Sequence, residues 1–95
     1  MPRRSKLEIR LMMLSSIKQG IDKPTRIMYA TNLSWKPTQR ILIQLKKQDL
    51  IKEIEDNNNV KSKKRFVITN KGLAVLKYFE DAKNILPLDE IYYQI

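Results

Sequence analysis

Apolar residues fall at helical spacing in four stretches of this chain and at strand-like spacing in two. Between residues 5 and 19, Ile9, Met13 and Ile17 recur every four positions, while Leu7, Leu11 and Leu14 form a second row. A helix on the surface of a monomer needs one apolar face, so the second row predicts burial on two sides. One side would lie in the domain and the other against the last helix or a second subunit. Gly20 is placed to end this helix as a left-handed cap. Pro24 suits the first turn of a second helix, Pro24 to Thr31, which is about two turns long and must be held by packing. Ile27, Met28 and Ala30 are its expected inward residues, and Tyr29 is expected in the core, with contact to a phosphate as the alternative.

Residues 32–49, NLSWKPTQRILIQLKKQD, organise the rest. Leu33 and Ser34 close a turn, with Ser34 placed to cap the amides of a helix from Trp35 to Gln48. Pro37 falls in the first turn, where its missing N–H is harmless. Thr38, Ile41, Leu42 and Leu45 share one face, and Lys36, Gln39, Arg40, Gln44 and Lys47 share the other. Residues 50–56 and 65–69 suit strands, with Leu50, Ile51, Ile54, Phe66 and Ile68 as their apolar positions. Between them NNNVKSKK, residues 57–64, gives a turn-forming Asn run and a basic hairpin tip. Thr69 can cap a final helix over 70–84, where Leu76 and Phe79 form one row and Val75, Tyr78 and Ala82 another. Pro87 is expected to stop it. Three helices, a two-stranded wing hairpin and a C-terminal helix, in that order, predict an α+β winged helix-turn-helix. Residues 1–84 would form the domain, and residues 85–95, ILPLDEIYYQI, an apolar tail for dimerisation or packing.

Charge separates two parts of the chain. Of 19 Lys and Arg and 10 Asp and Glu, residues 1–65 hold 16 basic and 6 acidic, a net of +10, and residues 66–95 hold 3 and 4, a net of −1. A cationic field concentrated in this way points to a polyanion, most simply nucleic acid. There is no Cys and no His, so thiolate metal sites, disulfides and His-based acid/base chemistry are excluded. Gly20 and Gly72 are the only glycines, which leaves no Gly-rich phosphate loop. No apolar run approaches the roughly 20 residues of a membrane span, and MPRRSK lacks a signal-peptide core. The expectation is a cytoplasmic, nucleoid-associated protein without cofactor, metal or enzymatic activity.

Three segments carry a family resemblance: RSKLEI at 4–9, TRIMYATNLS at 25–34 and ITNKGLAVL at 68–76. Together they resemble the small archaeal winged-helix DNA-binding proteins typified by the roughly 10-kDa chromatin-associated protein of Sulfolobus. The resemblance spans residues 4 to about 84. It implies a homodimer on double-stranded DNA, with the helix from Trp35 in the major groove and the hairpin at 57–64 on the backbone or minor groove. Two positions depart from the family pattern. Asp49 stands where Gly is common, at a cost of order 1 kcal/mol or less for a left-handed turn. Pro87 also cuts short the helix that makes the family's antiparallel dimer, so the dimer must be built differently, from the first helix, the last helix and the tail.

The candidate DNA-binding residues are Ser34, Trp35, Lys36, Thr38, Gln39 and Arg40 on the helix, Lys61, Lys63, Lys64 and Arg65 on the wing, and Arg3 and Arg4 on an N-terminal arm that includes Lys6. Arg pairs with guanine and Gln with adenine in the major groove, and a helix N-terminus with Ser34 binds phosphate. Trp35 fits two roles equally, stacking on sugar and backbone or lying as an apolar lid over Leu33 and the wing. The function expected is a DNA-binding transcriptional regulator or chromatin-like protein. The alternative is a winged helix used only for protein contact, whose mark would be an apolar or acidic outer face on the Trp35 helix; apart from Ile43 that face is basic and polar.

Overall fold

The computed structural model describes residues 5–56 and 63–85. Its elements are α1 (Lys6–Lys18), α2 (Pro24–Thr31), α3 (Trp35–Lys47), β1 (Ile51–Asp56), β2 (Lys63–Ile68) and α4 (Asn70–Lys83). The two strands form one antiparallel hairpin, paired from Ile51 opposite Ile68 to Asp56 opposite Lys63. The expected α+β order of three helices, hairpin and C-terminal helix is the observed one. β2 starts two residues earlier than its apolar alternation indicates, because the ladder continues where the register sets Glu55 opposite Lys64.

Local chemistry fixes the joints. Ser5 caps α1, its side chain accepting from the Glu8 N–H at 3.0 Å. Gly20, at φ 101°, closes the other end: its N–H donates to the Ile17 carbonyl and that of Ile21 to the Ser16 carbonyl. Asn32 and Asp49 take the left-handed conformation after α2 and α3, at φ 55° and 62°. Short polar side chains tolerate that region, so the turn expected at Asp49 forms without glycine.

The core gathers Met13, Leu14 and Ile17 from α1, Ile27 from α2, Leu42 and Leu45 from α3, Leu50, Ile51 and Phe66 from the hairpin, and Leu76 from α4. α1 runs through the middle and touches α2, β2 and α4. Both of its apolar rows are therefore used inside the domain: Met13 and Ile17 from one and Leu14 from the other are buried, and Leu11 packs against them. α2 departs from expectation. Its inward residues are Ile27 and Thr31, while Ala30 and Tyr29 are exposed, Tyr29 to 78%. An eight-residue helix has room for one buried stripe, and Thr31 joins it because its hydroxyl donates back to the Ile27 carbonyl at 2.8 Å.

The hairpin and α4 are locked by one short segment. The Thr69 side chain accepts from the Gly72 N–H at 3.0 Å, capping α4, and its hydroxyl donates to the Asp49 carbonyl at 2.7 Å. The Lys71 ammonium donates to the Gln48 carbonyl at 3.0 Å. A Cβ on Gly72 would sit 2.3 Å from the Leu50 carbonyl oxygen, so only glycine lets α4 approach the start of β1 this closely. The C-terminal end of α3 and the first turn of α4 thereby become one junction. No helix among the described residues is long and apolar enough to cross a membrane.

Candidate nucleic-acid interface

The turn at 32–34 delivers the chain to α3 with Asn32 left-handed and Ser34 extended. Ser34 occupies the N-cap position, but its side chain makes no capping bond, contrary to expectation. Its carbonyl instead accepts two bonds from Thr38, one from the N–H at 3.2 Å and one from the hydroxyl at 2.8 Å. Thr38 is fully buried. It therefore leaves the expected set of DNA-contacting residues: its hydroxyl is taken by the backbone and its side chain is out of reach of a partner.

The other expected α3 residues stand outward. Lys36, Gln39, Arg40 and Lys47 are exposed, and Ile43, exposed to 55%, lies among them. Spacings of three and four residues put them on one stripe of the helix. Gln44 does not belong to it. It is half-buried, and its Oε1 accepts from Arg10 Nη2 at 2.7 Å, tying α3 to α1.

Beside this stripe the hairpin adds cations, restrained by two carboxylates. Lys46 Nζ on α3 lies 3.2 Å from Glu53 Oε2 on β1, and Lys64 Nζ on β2 lies 3.9 Å from Glu53 Oε1. Glu53 thus bridges the helix and the wing. Trp35 is 41% exposed and shares a shallow groove with Pro24, Ile43, Phe66, Lys46 and Lys64. It lies between α3 and the hairpin, with part of its ring open to a partner. Arg65 is turned elsewhere: its Nη1 is 3.6 Å from Asp22 Oδ2, and the neighbouring Phe66 N–H donates to the Asp22 carbonyl at 2.9 Å. Arg65 thus fastens β2 to the segment between α1 and α2. Lys63 enters β2 opposite Asp56. Arg3, Arg4 and Lys61 lie outside the described residues, as do the hairpin tip at 57–62 and the tail from residue 86.

The structure therefore brings Trp35, Lys36, Gln39, Arg40 and Lys64 to one surface, with Ser34 exposed at its edge. Sequence reasoning missed Lys46, which is placed there by Glu53, and Arg10, which reaches the far side of α3. Neither carries a local signal: the partner of Arg10 lies 34 residues away, and that of Lys46 comes beside it only through the turn into β1. The strands do hint at the first: Glu53 and Lys64 fall on the side of the hairpin that holds Phe66.

A family model described as winged helix-turn-helix matches residues 3–86. No curated protein matches the chain. Among solved structures, the S. aureus MepR–DNA complex is similar with a TM-score of 0.71 at 16% identity, over 86% of this chain and 68% of that one. Streptococcus pneumoniae FabT in complex with DNA gives 0.68 at 12% identity, over 86% and 57%. Lactococcus lactis ZitR, a zinc-responsive MarR family member, gives 0.66 at 20% identity, over 87% and 58%. At these identities the likeness is one of fold. The chain spans less than two thirds of the length of several such structures, 62% for a mutant of S. aureus MepR.

Proposed function

The chain belongs to the winged helix-turn-helix family, and from that premise we propose that it binds double-stranded DNA, as a transcriptional regulator or as an abundant chromatin-like protein. The observation that carries this reading is the outer stripe of α3, where Lys36, Gln39, Arg40 and Lys47 stand exposed without a carboxylate among them. Such a stripe offers amide and guanidinium donors to base edges and cations to phosphates. α3 enters the major groove, and the hairpin, through Lys61, Lys63 and Lys64, meets the backbone or minor groove. Two solved structures of the same fold hold DNA, which supports the assignment. The resemblance to archaeal chromatin proteins supports the nucleoid-associated form of it.

Partners and location follow from the same reading. The protein acts in the cytoplasm on the nucleoid, without cofactor or catalysis, as a homodimer joined through α4 and the tail; α1, expected to share in the dimer, is covered within its own domain. α4 supports the dimer best, since Leu73, Tyr78 and Ile85 on it and just after it are 38%, 68% and 80% exposed.

The test is a binding selection from a pool of random duplexes, followed by two variants on the recovered sites. Replacing Gln39 and Arg40 with Ala should weaken recovered sites more than random DNA, because base contacts specify and phosphate contacts position. Neutralising Lys61, Lys63 and Lys64 should weaken both about equally. If both variants lose the two kinds of DNA alike, the protein reads little sequence and the chromatin-like form holds. If no duplex is retained at any salt, the DNA-binding reading is wrong and the protein-contact alternative takes its place.

A further inference from the structure

On the side of α3 away from the wing, α1 and α3 form a second cleft. Lys6 and Arg10, one turn apart on α1, face Arg40 and Gln44, one turn apart on α3, over a floor that includes Ile9 and Ile41. Three cations line this cleft and no carboxylate does. Among the described residues the ion pairs are those of Lys46, Lys64 and Arg65, so Lys6, Arg10 and Arg40 have no acidic partner there. The half-buried Arg10 is nevertheless held in place, because Gln44 accepts from one of its nitrogens at 2.7 Å. The guanidinium has five N–H donors and this bond uses one. An oriented, unneutralised guanidinium flanked by two further cations is a cleft of one sign, which concentrates positive potential and fits an external anion with several acceptor oxygens.

Resting on the DNA-binding reading above, we propose that this cleft is a backbone site: Lys6 and Arg10 of α1 grip phosphates of the duplex strand that passes α3 on the side opposite the wing. Arg40 links the two surfaces, since it belongs both to the outer stripe of α3 and to the rim of the cleft. α3 is then bracketed by phosphate contacts, from Lys64 and the wing on one side and from α1 on the other. Gln44 is a positioning residue; its amide oxygen is committed to Arg10 and does not read a base.

Each phosphate contact contributes about −0.9 to the slope of log affinity against log salt, which corresponds to about fivefold in affinity at about 0.15 M salt. The experiment titrates wild type, Lys6→Gln and the Lys6→Gln, Arg10→Gln double variant of the full chain with a random-sequence duplex over a range of salt. Thermal denaturation is measured in parallel. The single variant should bind about fivefold more weakly with a slope shallower by about 1, and the double variant about thirtyfold more weakly with a slope shallower by about 2. Lys6 is exposed and has no partner among the described residues, so its variant keeps the test decisive even if Arg10→Gln lowers the melting temperature. Unchanged affinity and slope in both variants, beside a steep wild-type slope, would overturn the cleft and leave the DNA-binding reading standing. A wild type that binds no duplex would overturn both.

Discussion

Gly72 shows what a single position can fix. It is buried at the first turn of α4, and the 2.3 Å separation between a built Cβ and the Leu50 carbonyl oxygen leaves no room for a methyl group. Backbone cannot yield as a flexible side chain does, so Gly72→Ala should force α4 away from β1 and loosen the Thr69 bonds to the Asp49 and Leu50 carbonyls. The expected loss is about 1–3 kcal/mol of unfolding free energy, read from the denaturant midpoint. A variant as stable as wild type would mean that the junction is softer than its geometry states. Several local roles were legible in the sequence: Gly20 and Asp49 end their helices in left-handed turns and Thr69 caps α4, although the side-chain cap expected of Ser34 does not form. Residues whose role depends on a neighbour were misjudged. Thr38 lies on the buried face with Leu42 and Leu45, as its spacing predicts, but its hydroxyl is taken by the Ser34 carbonyl and is not open to DNA. Tyr29 is outside because Ile27 and Thr31 fill the only buried stripe of α2.

At the scale of elements, the helix-turn-helix and hairpin could be read in chain order because periodicity, proline and turn residues agree with one another, and the ends differ by no more than two residues. What periodicity could not supply is which element covers which. The two rows of α1 pointed to the last helix or a second subunit as the second cover, and it is the last helix: α4, with α2 and β2, surrounds α1 and uses both rows. Coupling between elements was equally hidden. Glu53 joins α3 to the hairpin through Lys46 and Lys64, whose side chains remain 51% and 64% exposed. Pairs so exposed contribute at most about 1 kcal/mol each to stability, and salt screens them. On the DNA-binding reading their larger effect falls on DNA: Glu53 offsets two cations on the surface proposed to meet phosphate. Glu53→Gln should therefore raise duplex affinity by up to about fivefold at about 0.15 M salt while changing stability little. Weaker binding in an equally stable variant would show instead that Glu53 holds the lysines in the posture that binds.

At the scale of the whole molecule, charge and apolar surface lie in different places. The basic excess belongs to residues 1–65, whereas Leu73 and Tyr78 on α4 and Ile85 just after it face solvent in the part of the chain, residues 66–95, with no positive excess. A dimer through α4 and the tail would bury that surface and leave two basic halves to face one duplex, with recognition helices about one helical turn apart. Truncation before Ile85 should shift the protein from near twice its monomer mass toward monomer in sedimentation, and weaken DNA binding through lost bivalency. An intact chain that sediments as a monomer at micromolar concentration would end the dimer account. The most direct measurement of the central claim is an equilibrium titration of the intact protein with a fluorescent duplex across salt. With four to eight cations of α3, the wing, the arm and the α1 cleft on phosphates, log affinity should fall against log salt with a slope of roughly −4 to −7 per bound subunit. An affinity that does not change between low and physiological salt, or no binding at either, would contradict it.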